Sequence, residues 1–159
     1  RYGVHEGTDF FWAAGGPVRT GIPVLAVADG TVVRADWGYE EPSGPEMQAL
    51  LDTARARRYT PPEILDRLRG RQVHLDLGSG VLVYYSHLSG IADGILEGAR
   101  VEEGQVLGFV GNSGTPEAQI SPETGAHLHL EIRMGDGYLG QHLRHAEVRT
   151  WYLRIFGWG

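Results

Sequence analysis

The sequence predicts a mainly β, antiparallel domain interrupted by a short pair of helices, and three observations carry that reading. Gly supplies 24 of the 159 residues, about twice the usual ~7 %, and with 8 Pro it cuts the chain into short apolar runs bounded by turn signals. Within several of those runs apolar and polar residues alternate, the period of a half-buried strand. One stretch, 37–70, is instead charged and rich in Ala and Leu, with Pro45 and Pro61/Pro62 where helices begin. A chain of 159 residues is long enough for one real core, so a single domain over 1–159 is expected, with 37–70 as an insertion between strands.

The elements follow in order. "GIPVLAVADGTVVRADWG" reads as two strands around Asp29-Gly30, a dipeptide suited to a tight hairpin because both positions tolerate φ > 0. The insertion reads as two short helices, at about 46–58 and 62–69. "RQVHLDLGSGVLVYYSHLSG" repeats the hairpin form: Val73, Leu75 and Leu77 alternate with Gln72, His74 and Asp76 before "GSG" turns into "VLVYYSHL". "ARVEEGQVLGFVGNSG" gives short strands punctuated by Gly104, Gly108 and Gly111. "AHLHLEIRM" is the last clear strand. Its alternation sends His127, His129 and Glu131 to one face and Leu128, Leu130 and Ile132 into the core.

Composition excludes several chemistries. Without Cys there is no thiol nucleophile, disulfide or thiolate metal site, so any metal must be held by His and carboxylates. All 14 basic residues are Arg, which rules out Schiff-base chemistry, a P-loop lysine and a lipoyl- or biotinyl-lysine carrier. A net charge of −6 with no basic run argues against nucleic acid as a partner. No run of 18 apolar residues marks a transmembrane segment, and no signal-peptide pattern is present. The chain opens on Arg1, as a trimmed or processed piece would, so its beginning says little about localisation.

Two clusters carry chemistry. "HEGTD" sets His5 and Asp9 four residues apart, and "HLH" sets His127 and His129 on one strand face. Either alone is compatible with an exposed loop or strand face. Together they match a catalytic zinc site, which takes three His or carboxylate ligands and keeps a fourth position open to water; His5, Asp9 and one ring of the pair would supply that set. Glu131 reads equally well as a carboxylate orienting an imidazole and as an ordinary exposed strand residue. "GNSGTP" around Ser113 reads as a Gly-rich turn and not as a serine nucleophile. His74 on a polar strand face, and His142 and His145 in the Arg-rich tail, read as surface residues; Tyr84, Tyr85 and Trp12 read as packing aromatics.

The series "HEGTDF", "GIPVLAVADGTVV", "VYYSHLSG", "VEEGQVLGFVGNSG" and "TGAHLHLEI" resembles, in content and order, the lysostaphin-type zinc peptidases, the M23 family of peptidoglycan endopeptidases. The resemblance covers most of the chain outside 37–70. It implies a lysostaphin-type antiparallel β-sheet fold, with His5, Asp9 and His129 as ligands of Zn2+ and His127 with His87 of "YYSHL" as the catalytic imidazoles. It further implies hydrolysis of peptide bonds in bacterial cell-wall peptidoglycan and an extracytoplasmic location. The rival reading is a catalytically inactive domain of the same fold that binds or activates other wall hydrolases; such domains typically lack a ligand or catalytic position, whereas all five are present here. The chain departs from the family pattern in "DFFWAAGGPVRTGIPV" and "TPEAQISPE", both longer than usual, and in the helical insertion. These departures bear on the substrate groove, and the insertion is expected either to wall or lid that groove or to decorate the far side or make a subunit contact.

Overall fold

A computed structural model describes residues 2–13 and 16–156. In chain order the elements are β1 (Thr8–Phe10), β2 (Trp12–Ala13), β3 (Gly16–Pro17), β4 (Pro23–Leu25), β5 (Gly30–Ala35), α1 (Gly44–Arg57), α2 (Pro62–Leu68), β6 (Val73–Asp76), β7 (Val81–Ser86) and β8 (Leu88–Ile91). Then come β9 (Arg100–Val101), β10 (Val106–Val110), a 3-10 turn (Pro116–Gln119), β11 (Leu128–Met134), β12 (Gly137–Tyr138) and α3 (His145–Ile155). The main sheet runs β1-β11-β7-β6-β5-β9, with β12 also on β11; a second sheet runs β4-β10-β8, and β2 and β3 form a small hairpin. The pairings are antiparallel, so the fold is the mainly antiparallel β architecture that the alternating runs imply.

Alternation sorts the main sheet into two faces. Val32, Val73, Leu75, Val83, Tyr85 and Leu130 join Val24, Leu88, Leu107 and Val110 of the second sheet in one buried cluster. On the opposite face, directly paired positions line up as Arg34 beside His74, His74 beside Tyr84, Tyr84 beside Glu131, and Ser86 beside His129 beside Asp9. The helices of the insertion cover part of this second face. They have a small core of their own, Met47, Ile64 and Leu68, and Asp66 of α2 reaches down to Arg34 with a two-pronged ion pair (2.6 and 3.0 Å). The insertion therefore lies on the side of the sheet that carries the histidines.

The expected helices appear nearly in place. α1 starts at Gly44, two residues before the expected start, because the Glu46 carboxylate accepts the Ser43 N–H (2.8 Å) and closes the first turn there. The hairpin through Gly78-Ser79-Gly80 joins β6 to β7 as expected. The hairpin at Asp29-Gly30 does not form. β4 pairs with β10 and β5 with β6 and β9, so the chain crosses there from one sheet to the other. Asp29 uses its carboxylate to accept the Glu103 N–H (2.7 Å), and Gly30 does not take up the positive φ that a primed turn demands. α3 was not anticipated in the Arg-rich tail; its signals are Glu147, which accepts the Arg144 N–H (2.8 Å), and the i, i+4 pair Val148 and Tyr152, packed on the main core. His74 corrects another expectation: it is buried, flat against Tyr84 (3.5 Å between centroids, 4° between planes), because α2 roofs the strand face that the sequence left polar.

Candidate metal centre

Three segments converge above the second face. The first is the strand run of β11, which presents His129, 1 % exposed, between Asp9 of β1 and Ser86 of β7. The second is the extended segment before β1, which lays His5 over the His129 ring edge (4.7 Å, 78°). Gly7 makes that crossing possible: a Cβ there would sit 2.5 Å from the Leu130 carbonyl and 2.9 Å from the His129 ring. The segment is pinned at its start by Thr60, between α1 and α2, which accepts the Tyr2 N–H (3.1 Å) and donates to the Tyr2 carbonyl (2.5 Å). The third is the turn from β7 to β8, which carries His87 at φ +63 with its ring 4.7 Å from that of His127.

Each imidazole is held by one nitrogen. His5 Nδ1–H donates to the Gly7 carbonyl (3.0 Å), His87 Nδ1–H to the Ser113 carbonyl (2.8 Å) and His127 Nδ1–H to the Gly125 carbonyl (2.7 Å), since a carbonyl can only accept. His129 Nε2–H donates to Glu131 Oε1 (3.0 Å), a carboxylate that His129 and Arg69 keep ionised against burial and that Arg133 also pairs. In the neutral rings the remaining nitrogens carry lone pairs. Two of these, His5 Nε2 and His129 Nδ1, face Asp9 Oδ1 at 3.0 and 2.7 Å. Three electron-pair donors pointed at one another need a positive charge among them, and one ligand atom from each lies within 4.8 Å of the others. The donor set, two imidazoles and a carboxylate with no thiolate, fits zinc.

The local electrostatics favour a positive charge at this point. Burial disfavours the charged form of Asp9, yet the flanking His129 and His5, when either carries positive charge, outweigh it and hold the carboxyl well below its ordinary range. For His129 burial also works against charge, and Asp9 and Glu131 reverse it and raise the ring. Burial pushes His87 down to about 3, reinforced by His127 and His129, so this ring is neutral at physiological pH. Phe11, half exposed, stacks on His127 (4.6 Å, 25°), and the Ser86 hydroxyl, buried opposite His129, finds no hydrogen-bond partner among the described residues.

Residues 54–142, more than half of the chain, match the model of peptidase family M23. The chain belongs to that family. The matched stretch contains His87, His127 and His129 and begins after His5 and Asp9. The M23 chain is 27 % identical over 134 residues to the L-Ala--D-Glu endopeptidase of Bacillus subtilis (strain 168), covering 84 % of this chain and 31 % of that protein. It thus spans less than a third of that relative's length. Among solved structures, the mutant catalytic domain of the prophage-encoded M23 protein EnpA from Enterococcus faecalis is 24 % identical, with a TM-score of 0.52 over 85 % of this chain and 72 % of the other. A zinc containing peptidase from Vibrio cholerae is 21 % identical, with a TM-score of 0.52 over 84 % and 28 %. Both likenesses are ones of fold.

Within this M23 chain His5, Asp9, His87, His127 and His129 all lie at one place, and Glu131 is fully buried beneath His129 instead of standing on an exposed strand face. Ser113 is scaffolding: its Oγ donates to the Leu88 carbonyl (2.9 Å), accepts the Arg71 N–H (2.9 Å) and is buried. His142 and His145 are exposed, Tyr85 is in the core, and Trp12 stands out at 70 % exposure on the β2–β3 hairpin. Residues 14 and 15 of the long "DFFWAAGGPVRTGIPV" link lie outside the described residues. Sequence reasoning missed Arg69, Arg133 and Glu6, which surround Glu131, because no local pattern distinguishes a buried Arg from a solvated one.

Proposed function

We propose that the chain is a zinc metalloendopeptidase that hydrolyses peptide bonds in bacterial peptidoglycan outside the cytoplasm, with His5, Asp9 and His129 holding the metal and His87 and His127 moving protons. The observation that carries it is the convergence of three lone-pair donors on one point, each ring fixed from behind, with two further imidazoles alongside. The peptidoglycan assignment draws on the Bacillus endopeptidase relative and the zinc on the donor set, supported by the Vibrio neighbour of the same fold. Among the described residues no helix is long and apolar enough to cross a membrane.

Held by His5, Asp9 and His129, zinc would supply a Lewis acid able to lower the pKa of a water toward ~7 and to polarise a carbonyl. The protein supplies the proton traffic. His87 and His127, with Nδ1–H committed to carbonyls, offer Nε2 lone pairs that take the proton the water gives up on attacking the amide carbon. The same nitrogen returns that proton to the leaving amine as the C–N bond breaks, and a protonated ring donates to the oxyanion in between. Retention of all five positions favours this over the inactive, partner-binding reading.

Metal analysis of purified protein, combined with mass spectrometry of digested peptidoglycan, tests the proposal. One zinc per chain and new peptide termini are expected, both lost on chelation. Hydrolysis that survives complete removal of the metal would overturn it.

A further inference from the structure

Arg69, the residue after α2, meets all three segments that build the centre. Its Nε and Nη2 clasp Glu131 Oε1 and Oε2 (2.7 and 3.0 Å), its Nη2 also reaches Glu6 Oε2 beside His5 (3.2 Å), and its backbone carbonyl accepts the His87 N–H (2.9 Å). The side chain is 10 % exposed and lies over the Tyr84 ring (5.8 Å). We propose that Arg69 is a positioning residue for the metal centre, through which the helical insertion sets the orientation of the His129 ring. The inference rests on the zinc reading above and concerns a residue of the insertion.

The two guanidiniums divide the oxygens of Glu131 unequally. Oε1 of Glu131 accepts both Arg69 Nε–H and His129 Nε2–H, so the plane of the clasped carboxylate fixes where the ring can point. Arg133 neutralises the same carboxylate but binds Oε2 alone (2.5 Å), on the side away from the ring, and also Glu6 (2.9 Å). Both arginines provide charge; Arg69 alone provides a two-point clasp that includes the oxygen shared with His129. A lysine in its place would keep the charge and lose the fork.

Zinc affinity, measured by competition with a chromogenic chelator, separates these roles across wild type, Arg69→Gln, Arg69→Lys and Arg133→Gln, with melting curves run on each. Arg69→Gln is expected to weaken zinc by about 10–100-fold, as loss of a partner behind a metal-binding His typically does. Arg69→Lys should recover part of that loss, and Arg133→Gln should stay within about threefold of wild type on the same scale. In zinc-saturated protein Arg69→Gln should lower kcat on a soluble muropeptide with KM within about twofold, the pattern of lost transition-state orientation. Unchanged zinc affinity in folded Arg69→Gln, or equal weakening by Arg133→Gln, would overturn the inference. Should Arg69→Gln fail to fold, Arg69→Lys against Arg133→Gln decides by the same criterion: the lysine variant must bind more weakly. Wild-type protein that binds no zinc would instead overturn the zinc reading and this inference with it.

Discussion

His129 and His87 stand with ring centroids 5.7 Å apart, yet different kinds of structure hold them. His129 sits in a regular ladder, opposite Ser86 on one side and Asp9 on the other. His87 sits where β7 breaks into β8, in a left-handed backbone conformation that costs a non-glycine residue about 1–2 kcal/mol. Two hydrogen bonds offset that cost, each worth about 0.5–1.5 kcal/mol: the N–H to Arg69 and the ring Nδ1–H to Ser113. Those acceptors come from two remote segments that touch back to back through Gly70 and Gly114, where an added Cβ would lie 2.1 Å from the Ser113 carbonyl or 2.4 Å from the Gly70 nitrogen. A strand can present a residue using only its own period. A turn needs the rest of the molecule.

The largest expected effect separates the two rings by function. His129→Ala, like His5→Ala or Asp9→Ala, should abolish stoichiometric zinc and activity together. His87→Ala and His127→Ala should retain zinc and lose ~10²–10⁴-fold in rate, the range for a positioned acid–base group. Zinc content and peptidoglycan hydrolysis on the same preparations check both, and a zinc-free His127→Ala protein would mean ligand and proton carrier are exchanged.

A smaller effect probes the scaffold of the turn. Gly70→Ala forces a Cβ onto left-handed backbone, about 1–2 kcal/mol, and into the Ser113 carbonyl, a further about 1–3 kcal/mol. Denaturant unfolding should register the sum, with hydrolysis falling more than zinc affinity, since the disturbed crossing holds His87 more directly than His129.

The smallest concerns the roof over the strand face. Burial holds His74 down at about 3 against an ordinary 6.5, so below pH 6.5 the unfolded chain takes up a proton that the folded chain refuses. The stabilisation is full above 6.5 and is lost as pH falls toward 3, at up to ~1.4 kcal/mol per unit. Urea midpoints of metal-free protein should therefore fall between pH 6.5 and 4.5, and less steeply in His74→Phe; His87, lowered in the same way, keeps part of the slope.

What was legible in the sequence follows the same division. The alternation in "AHLHLEIRM" puts His127, His129 and Glu131 on one face, and the spacing of "HEGTD" brings two donors into one short segment. Proline positions reveal the helices. What depends on distant backbone was not legible: Asp29-Gly30 has the composition of a hairpin but joins two sheets, His74 has a polar strand pattern but lies under α2, and Arg69 is one of 14 arginines until Glu131 is seen beneath it. Composition reports turn chemistry and periodicity reports faces. Neither reports which segment will be laid over a face.

β1 is three residues long, forms the edge of the main sheet and, among the described residues, pairs with β11 alone, more than a hundred residues away along the chain. It carries Asp9, and His5 hangs on the segment ahead of it. Closing so long a loop for so short a strand leaves little net gain, which places this edge among the least protected parts of the fold. The hydrophobic cluster between the sheets takes Phe10 from β1 but neither His5 nor Asp9, so most of it can form while the centre is still open. On the zinc reading, competence to bind the metal is expected to be a separate, late equilibrium: amides of residues 5–10 should exchange faster than those of β7, and zinc occupancy should be what slows them.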